Sequence, residues 1–161
     1  MKGTDMTERS LAHASFTIER RYDFKPAIVF KAFKDPAARR RWFVEGDDPA
    51  WSVKSCALRF EVGAHESSSF TYNDGPLVRN DTFYFDIIEN ERIVFAYSMS
   101  SPEGPFSTSL ATITLKADAA GTVLTYTEQA AFFEGGDGAQ MREQGCRELL
   151  ESLNKELKRN T

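Results

Sequence analysis

The chain has 161 residues, a formal net charge of −4, a pI of about 5.3, and 41% hydrophobic against 27% charged residues. It lacks the basic footprint of a general nucleic-acid binder, and no stretch approaches the ~18 apolar residues of a membrane span. Two cysteines and two histidines leave too little for a zinc site or a Ser-His triad, so neither a metal nor a cofactor is expected. The length suits a single domain. Thirteen Phe, five Tyr and two Trp are large, rigid groups that fill cores and line cavities.

The first residues carry no apolar run of the secretory type. The expectation is a cytoplasmic protein with a flexible tail over 1–13 and one domain over 14–161. Ala14 to Tyr22 alternates as a first strand, with Phe16, Ile18 and Arg20 on one face. Pro26 is preset for a first helical turn, and Asp35-Pro36 gives an N-cap followed by Pro at the first position of a second short helix. That second helix carries Ala38, Trp42 and Phe43. The run Arg39-Arg40-Arg41 reads as its solvated face.

A train of strands follows. Trp51 to Phe60 and Gly63 to Tyr72 come first, closed by the turn chemistry of Asn73-Asp74-Gly75-Pro76. In Asp81 to Glu89 the alternation predicts Phe83, Phe85 and Ile87 on one face. After the Asn90-Glu91 turn, Ile93, Phe95, Tyr97 and Met99 share a face. Ala111, Ile113 and Leu115 form the next face, and Leu124, Tyr126, Glu128 and Ala130 the last. Clean alternation with short turns predicts an antiparallel meander with one wet face.

Past the glycine-rich Glu134 to Gly138, the residues Met141, Cys146, Leu149, Leu150, Leu153 and Leu157 recur at helical spacing. The remaining positions, Arg142 among them, read as the charged side of a long helix. A sheet with one apolar face and a helix to bury predicts an α+β layer architecture. Cys56 and Cys146 are expected to be free thiols, with Cys146 on the buried stripe.

This order of elements resembles the helix-grip fold of the START-like, or Bet v-like (SRPBCC), superfamily. Within it the chain is similar to the branch named after the activator of heat-shock protein 90 ATPase. The resemblance is carried by Val29 to Pro36 with Arg41-Trp42-Phe43, by Phe60 to Ala64, by Asp86 to Phe95, by Gly121 to Gln129, and by Arg142 to Gly145 leading into Leu149-Leu150. It runs from about Phe16 to Leu157. Ala64 replaces the second glycine usual in the branch. The resemblance implies a curved antiparallel sheet wrapped around a long C-terminal helix, with two short helices after the first strand, and an interior that is hollow. Fold alone does not fix function.

The candidate ligand-binding residues are therefore Trp42 and Phe43 at the mouth, with Phe83, Phe85, Phe95, Tyr97, Ile113, Tyr126, Glu128, Gly145 and Leu149 inside. Gly145 is either a close-packing glycine on the helix stripe or headroom over the sheet. Glu128 is either wet at the rim of its strand or an inward polar anchor, and it is the candidate acid/base group. Arg79 and His65 are lesser candidates.

The leading expectation is a protein that binds or carries a small hydrophobic ligand. The alternatives are a cyclase or aromatase type of enzyme and a co-chaperone-like interaction module. The expected partner is a small apolar molecule, with a homodimer as an option.

Overall fold

The structure, a computed structural model, describes residues 9–159. Strand β1 (Ala12–Tyr22) leads into helix α1 (Pro26–Lys34) and a short helix α2 (Pro36–Arg39), which continues as a π-helical turn over Arg40–Glu45. Six strands follow: β2 (Trp51–Ala57), β3 (His65–Tyr72), β4 (Val78–Ile88), β5 (Arg92–Ser101), β6 (Gly104–Asp118) and β7 (Gly121–Phe132). Helix α3 (Ala139–Lys158) ends the described chain. The expected tail boundary at 13 falls inside β1, and residues 1–8 lie outside the described residues.

All seven strands form one antiparallel sheet in the order β1-β7-β6-β5-β4-β3-β2. The chain's first strand is thus brought back beside its last, and α3 packs on β1. This is the α+β helix-grip architecture.

Local chemistry explains the elements. Pro26 opens α1, and the Asp35 carboxylate accepts from the Ala37 N–H at 3.0 Å while Pro36 opens α2. The Trp42 indole N–H donates to the Ala32 carbonyl at 2.8 Å and ties the π-helical turn to α1. Asn73 and Asp74 both adopt positive φ in the β3–β4 turn, a conformation their short polar side chains tolerate. Gly121 faces the Tyr22 carbonyl so closely that an added Cβ would stand 2.4 Å from it. A side chain there would push β1 from β7.

Two expectations about faces fail. Phe83 and Phe85 point outward and are 39% and 55% exposed. The inward residues of β4 are Thr82 and Tyr84. A bulge opposite Phe95 and Val94 inserts one residue between Tyr84 and Asp86. Such an insertion reverses the parity of everything beyond it. Ile87 therefore does pack on the core, although Phe83 and Phe85 do not.

On α3 the buried positions are Arg142, Leu150, Leu153, Glu156 and Leu157. Met141 is 69% exposed. Stepping back four residues from Cys146 along the stripe lands on Arg142.

Leu153 is fully buried within the core cluster. Leu153→Ala should cost about 2–5 kcal/mol, read as a lowered urea midpoint with an unchanged slope. An unmoved midpoint would mean that α3 does not clamp the sheet.

Candidate functional site

A cavity of about 580 Å³ lies beside α3, over the middle of the sheet. Its origin is visible in the side chains. Helix α3 leans on β1, the π-helical turn and α1, which leaves space between it and the inner face of β3 to β5. The inward residues there include the small Ser68, Asn80 and Thr82. The aromatic walls are Phe60, Phe70, Tyr84, Phe95, Tyr97 and Tyr126, roofed by Trp42 and Phe43. Tyr84, Phe95 and Tyr97 form a ladder with ring centroids 5.9 and 6.1 Å apart.

Of the expected binding residues, the structure gathers Trp42, Phe43, Phe95, Tyr97, Ile113, Tyr126, Gly145 and Leu149 around this cavity. Trp42 is 4% exposed and belongs to the wall rather than the mouth. Gly145 is exposed, on the flank of α3 that borders the opening, and nothing lies within 4 Å of where its Cβ would be. It is therefore neither a close-packing glycine nor headroom beneath the helix. Phe83 and Phe85 take no part, being on the other face.

Glu128 is not at the rim and does not line the cavity: it is 0% exposed, one layer behind the wall. Its carboxylate accepts from the Tyr97 hydroxyl at 2.8 and 2.9 Å, from Tyr126 at 2.6 Å, from Ser109 at 2.8 Å and from Arg142 at 3.3 Å. The Cys146 thiol stands 3.7 Å away. Burial, then the Glu128 carboxylate, pushes that thiol up to about 12, so it is a protonated, unreactive group at neutral pH. Burial, and next the same carboxylate, raises the Tyr97 hydroxyl above its ordinary value. Tyr126 is raised as well, first by burial and then by Tyr97.

Arg142 completes this cluster. It donates to Tyr97 at 2.9 Å, to Ser107 at 2.7 Å, and through two nitrogens to Asp137 at 2.8 and 3.0 Å. Burial alone would lower its pKa. Tyr97, Asp137 and Glu128 outweigh burial and hold it above the ordinary value.

A second buried cluster lies across the Phe95 ring. Arg39, only 3% exposed, pairs with Glu66 and donates to the Tyr84 hydroxyl at 2.5 Å. Tyr84 in turn donates to Glu66 at 3.1 Å, and the Arg59 backbone N–H donates to the same carboxylate at 2.8 Å. Arg39 is thus no part of a solvated face. Arg40 and Arg41 do sit further out, paired with Glu45 and Glu156.

Sequence reasoning missed both arginines. The available signal was an inward carboxylate at Glu128 together with a cation on the buried stripe at Arg142. Arg79 and His65 meet at Asp81 on the outer face, at 2.9 Å each. Both cysteines are free. Among the described residues no cluster suited to a metal ion is present, and no helix is long and apolar enough to cross a membrane.

Removing one member of a buried ion pair strands the other charge. Arg142→Leu should therefore destabilise the protein by about 3–5 kcal/mol, and Arg142→Leu with Glu128→Gln should recover part of that loss in urea unfolding. A single variant as stable as the parent would show that Glu128 does not depend on Arg142.

The family model described as activator of Hsp90 ATPase homolog 1-like protein matches residues 23–158. The crystal structure of the Mll3558 protein from Rhizobium loti is 48% identical, with a TM-score of 0.83, covering 91% of this chain and 99% of that one. An uncharacterised protein from Rhizobium leguminosarum is 36% identical, with a TM-score of 0.86, over 95% and 99% of the two chains. DynU16, from the dynemicin biosynthetic locus, shares the fold at 16% identity and a TM-score of 0.65, over 91% of this chain and 48% of its own. None of the curated proteins matches. With most of its length matched by one family model and its fold shared by these structures, the chain belongs to the activator of Hsp90 ATPase homolog 1-like family of the START-like superfamily.

Proposed function

We propose that this protein binds or carries a small, largely apolar molecule in the cavity beside α3. The observation that carries the reading is the space itself. Protein interiors are close-packed and rarely leave voids larger than a water. A cavity of about 580 Å³ with aromatic walls falls in the range of small-molecule sites. Small inward side chains on β3 and β4 keep it open, where larger apolar ones would have closed the core.

An acid/base enzyme of the cyclase or aromatase type would need a carboxylate that reaches the ligand. Glu128 has its acceptor positions occupied by protein donors and lies behind Tyr97 and Tyr126. Its role in this reading is to orient those hydroxyls.

One observation favours a second reading, a module acting through its surface. Phe83 and Phe85 stack edge to face on the outer side of the sheet, with centroids 5.0 Å apart, and exposed aromatic pairs suit protein contacts.

The two readings separate in one experiment. An environment-sensitive apolar dye is titrated into the wild type, Ser68→Phe and a Phe83→Ser/Phe85→Ser double variant. Ser68→Phe puts a ring into the cavity and should weaken binding about tenfold, the equivalent of ~1.4 kcal/mol, while the double variant leaves it unchanged. Loss of binding in the outer-face variant alone would overturn the cavity reading.

A further inference from the structure

Resting on that reading, the hydrogen-bond inventory of the cavity wall narrows the chemistry of what fits inside. A tyrosine hydroxyl has one proton to give and two lone pairs to receive. Tyr97 and Tyr126 both border the cavity, and both give their proton to Glu128 behind them. Toward the cavity they have only lone pairs to offer. Tyr97 receives Arg142 on one of these, and Tyr126 receives only the Cys146 thiol at 3.7 Å.

Arg142 looks at first like an anchor for an anion. A guanidinium has five N–H donors, and here all five are spent on protein. Nε donates to Asp137, Nη2 to Ser107 and Asp137, and Nη1 to Tyr97 and the Ser109–Glu128 pair. Its charge is matched by Glu128 and Asp137.

Across the Phe95 ring the other arginine is equally closed to a ligand. The Arg39 side chain borders the cavity, but its guanidinium is paired with Glu66 and its Nε is sealed off from the open space. The opening is bordered by the exposed acids Asp47, Asp48 and Glu148, with Lys155 already paired to Asp47 at 3.1 Å.

We infer that the cavity selects an uncharged molecule with an apolar, ring-sized body. It carries a hydroxyl that donates to the oxygen of Tyr126 or Tyr97. Carboxylates and phosphates are disfavoured at both places. An anion would meet lone pairs at the tyrosines, a cation already neutralised at Arg39, and acidic side chains on the way in. A buried anion without free donors is strongly penalised.

The test is a probe series on the unmodified protein at pH 6.5, by calorimetry or ligand fluorescence. The probes are 6-acetyl-2-naphthol, its methyl ether 2-acetyl-6-methoxynaphthalene, and 6-hydroxy-2-naphthoate. The acetylnaphthol should bind tightest. The methyl ether, which has no proton to give, should bind about tenfold more weakly. The naphthoate should bind at least about a hundredfold more weakly. Tyr126→Phe should shrink the gap between the naphthol and its ether. Equal binding of that pair, or a naphthoate that binds best, overturns the inference while leaving the cavity reading intact. If no probe binds, and an environment-sensitive apolar dye also fails, the cavity-binding reading falls and takes this inference with it.

Discussion

A carboxylate sealed from water must find its full set of donors inside the fold, and Glu128 draws its set from four separate elements. Tyr97 comes from β5, Ser109 from β6, Tyr126 from β7 itself and Arg142 from the first turns of α3. Satisfying that one group fixes where the N-terminal end of α3 sits over the sheet. The Leu150, Leu153 and Leu157 stripe then settles the rest of the helix into the core. The buried Glu66 does the same for α2, which is pinned to β3 and β4 through Arg39 and Tyr84. Two roofing elements are thus each held by a buried ion cluster, and the cavity is the space between them.

Buried ion pairs are poor sources of stability, because desolvation consumes most of what attraction returns. Their use here makes sense as positioning. An all-apolar interior of the same shape would relax toward the sheet and close, since dispersion and burial both reward contact. Charged partners with fixed bond lengths resist that collapse. The same clusters spend the donors that would otherwise face the ligand, so the wiring that keeps the cavity open also sets its polarity.

Most of the architecture was legible in the sequence because it rests on local signals. Asp35-Pro36, Asn73-Asp74 and the alternation through Ile93, Phe95, Tyr97 and Met99 each encode their element within a few residues. What escaped depended on events that alternation does not record. The bulge between Tyr84 and Asp86 reversed the faces of β4 and moved Phe83 and Phe85 outside. Hydrophobicity alone placed Met141 inward and Arg142 outward, whereas the helix turn that meets Glu128 needs the cation. Arg39 sat in a basic run and looked solvated, because its partner Glu66 lies twenty-seven residues away on another element. Buried charge is paired over long sequence distances, and a single sequence shows the charges without the pairing. Gly145 borders the cavity from the exposed flank of α3, a place that depends on how far the helix leans toward β1.

On the reading proposed above, a small molecule binds in the cavity between the two clusters. Backbone and methyl NMR of the isotopically labelled protein with a saturating apolar probe measures this directly. The predicted result is a set of shift changes at Gly145, Leu149, Ile113 and Tyr97 that border the cavity, with the outer strand face silent. Changes concentrated at Phe83, Phe85 and Leu110, which are exposed on the surface, with the cavity residues unmoved, would contradict it.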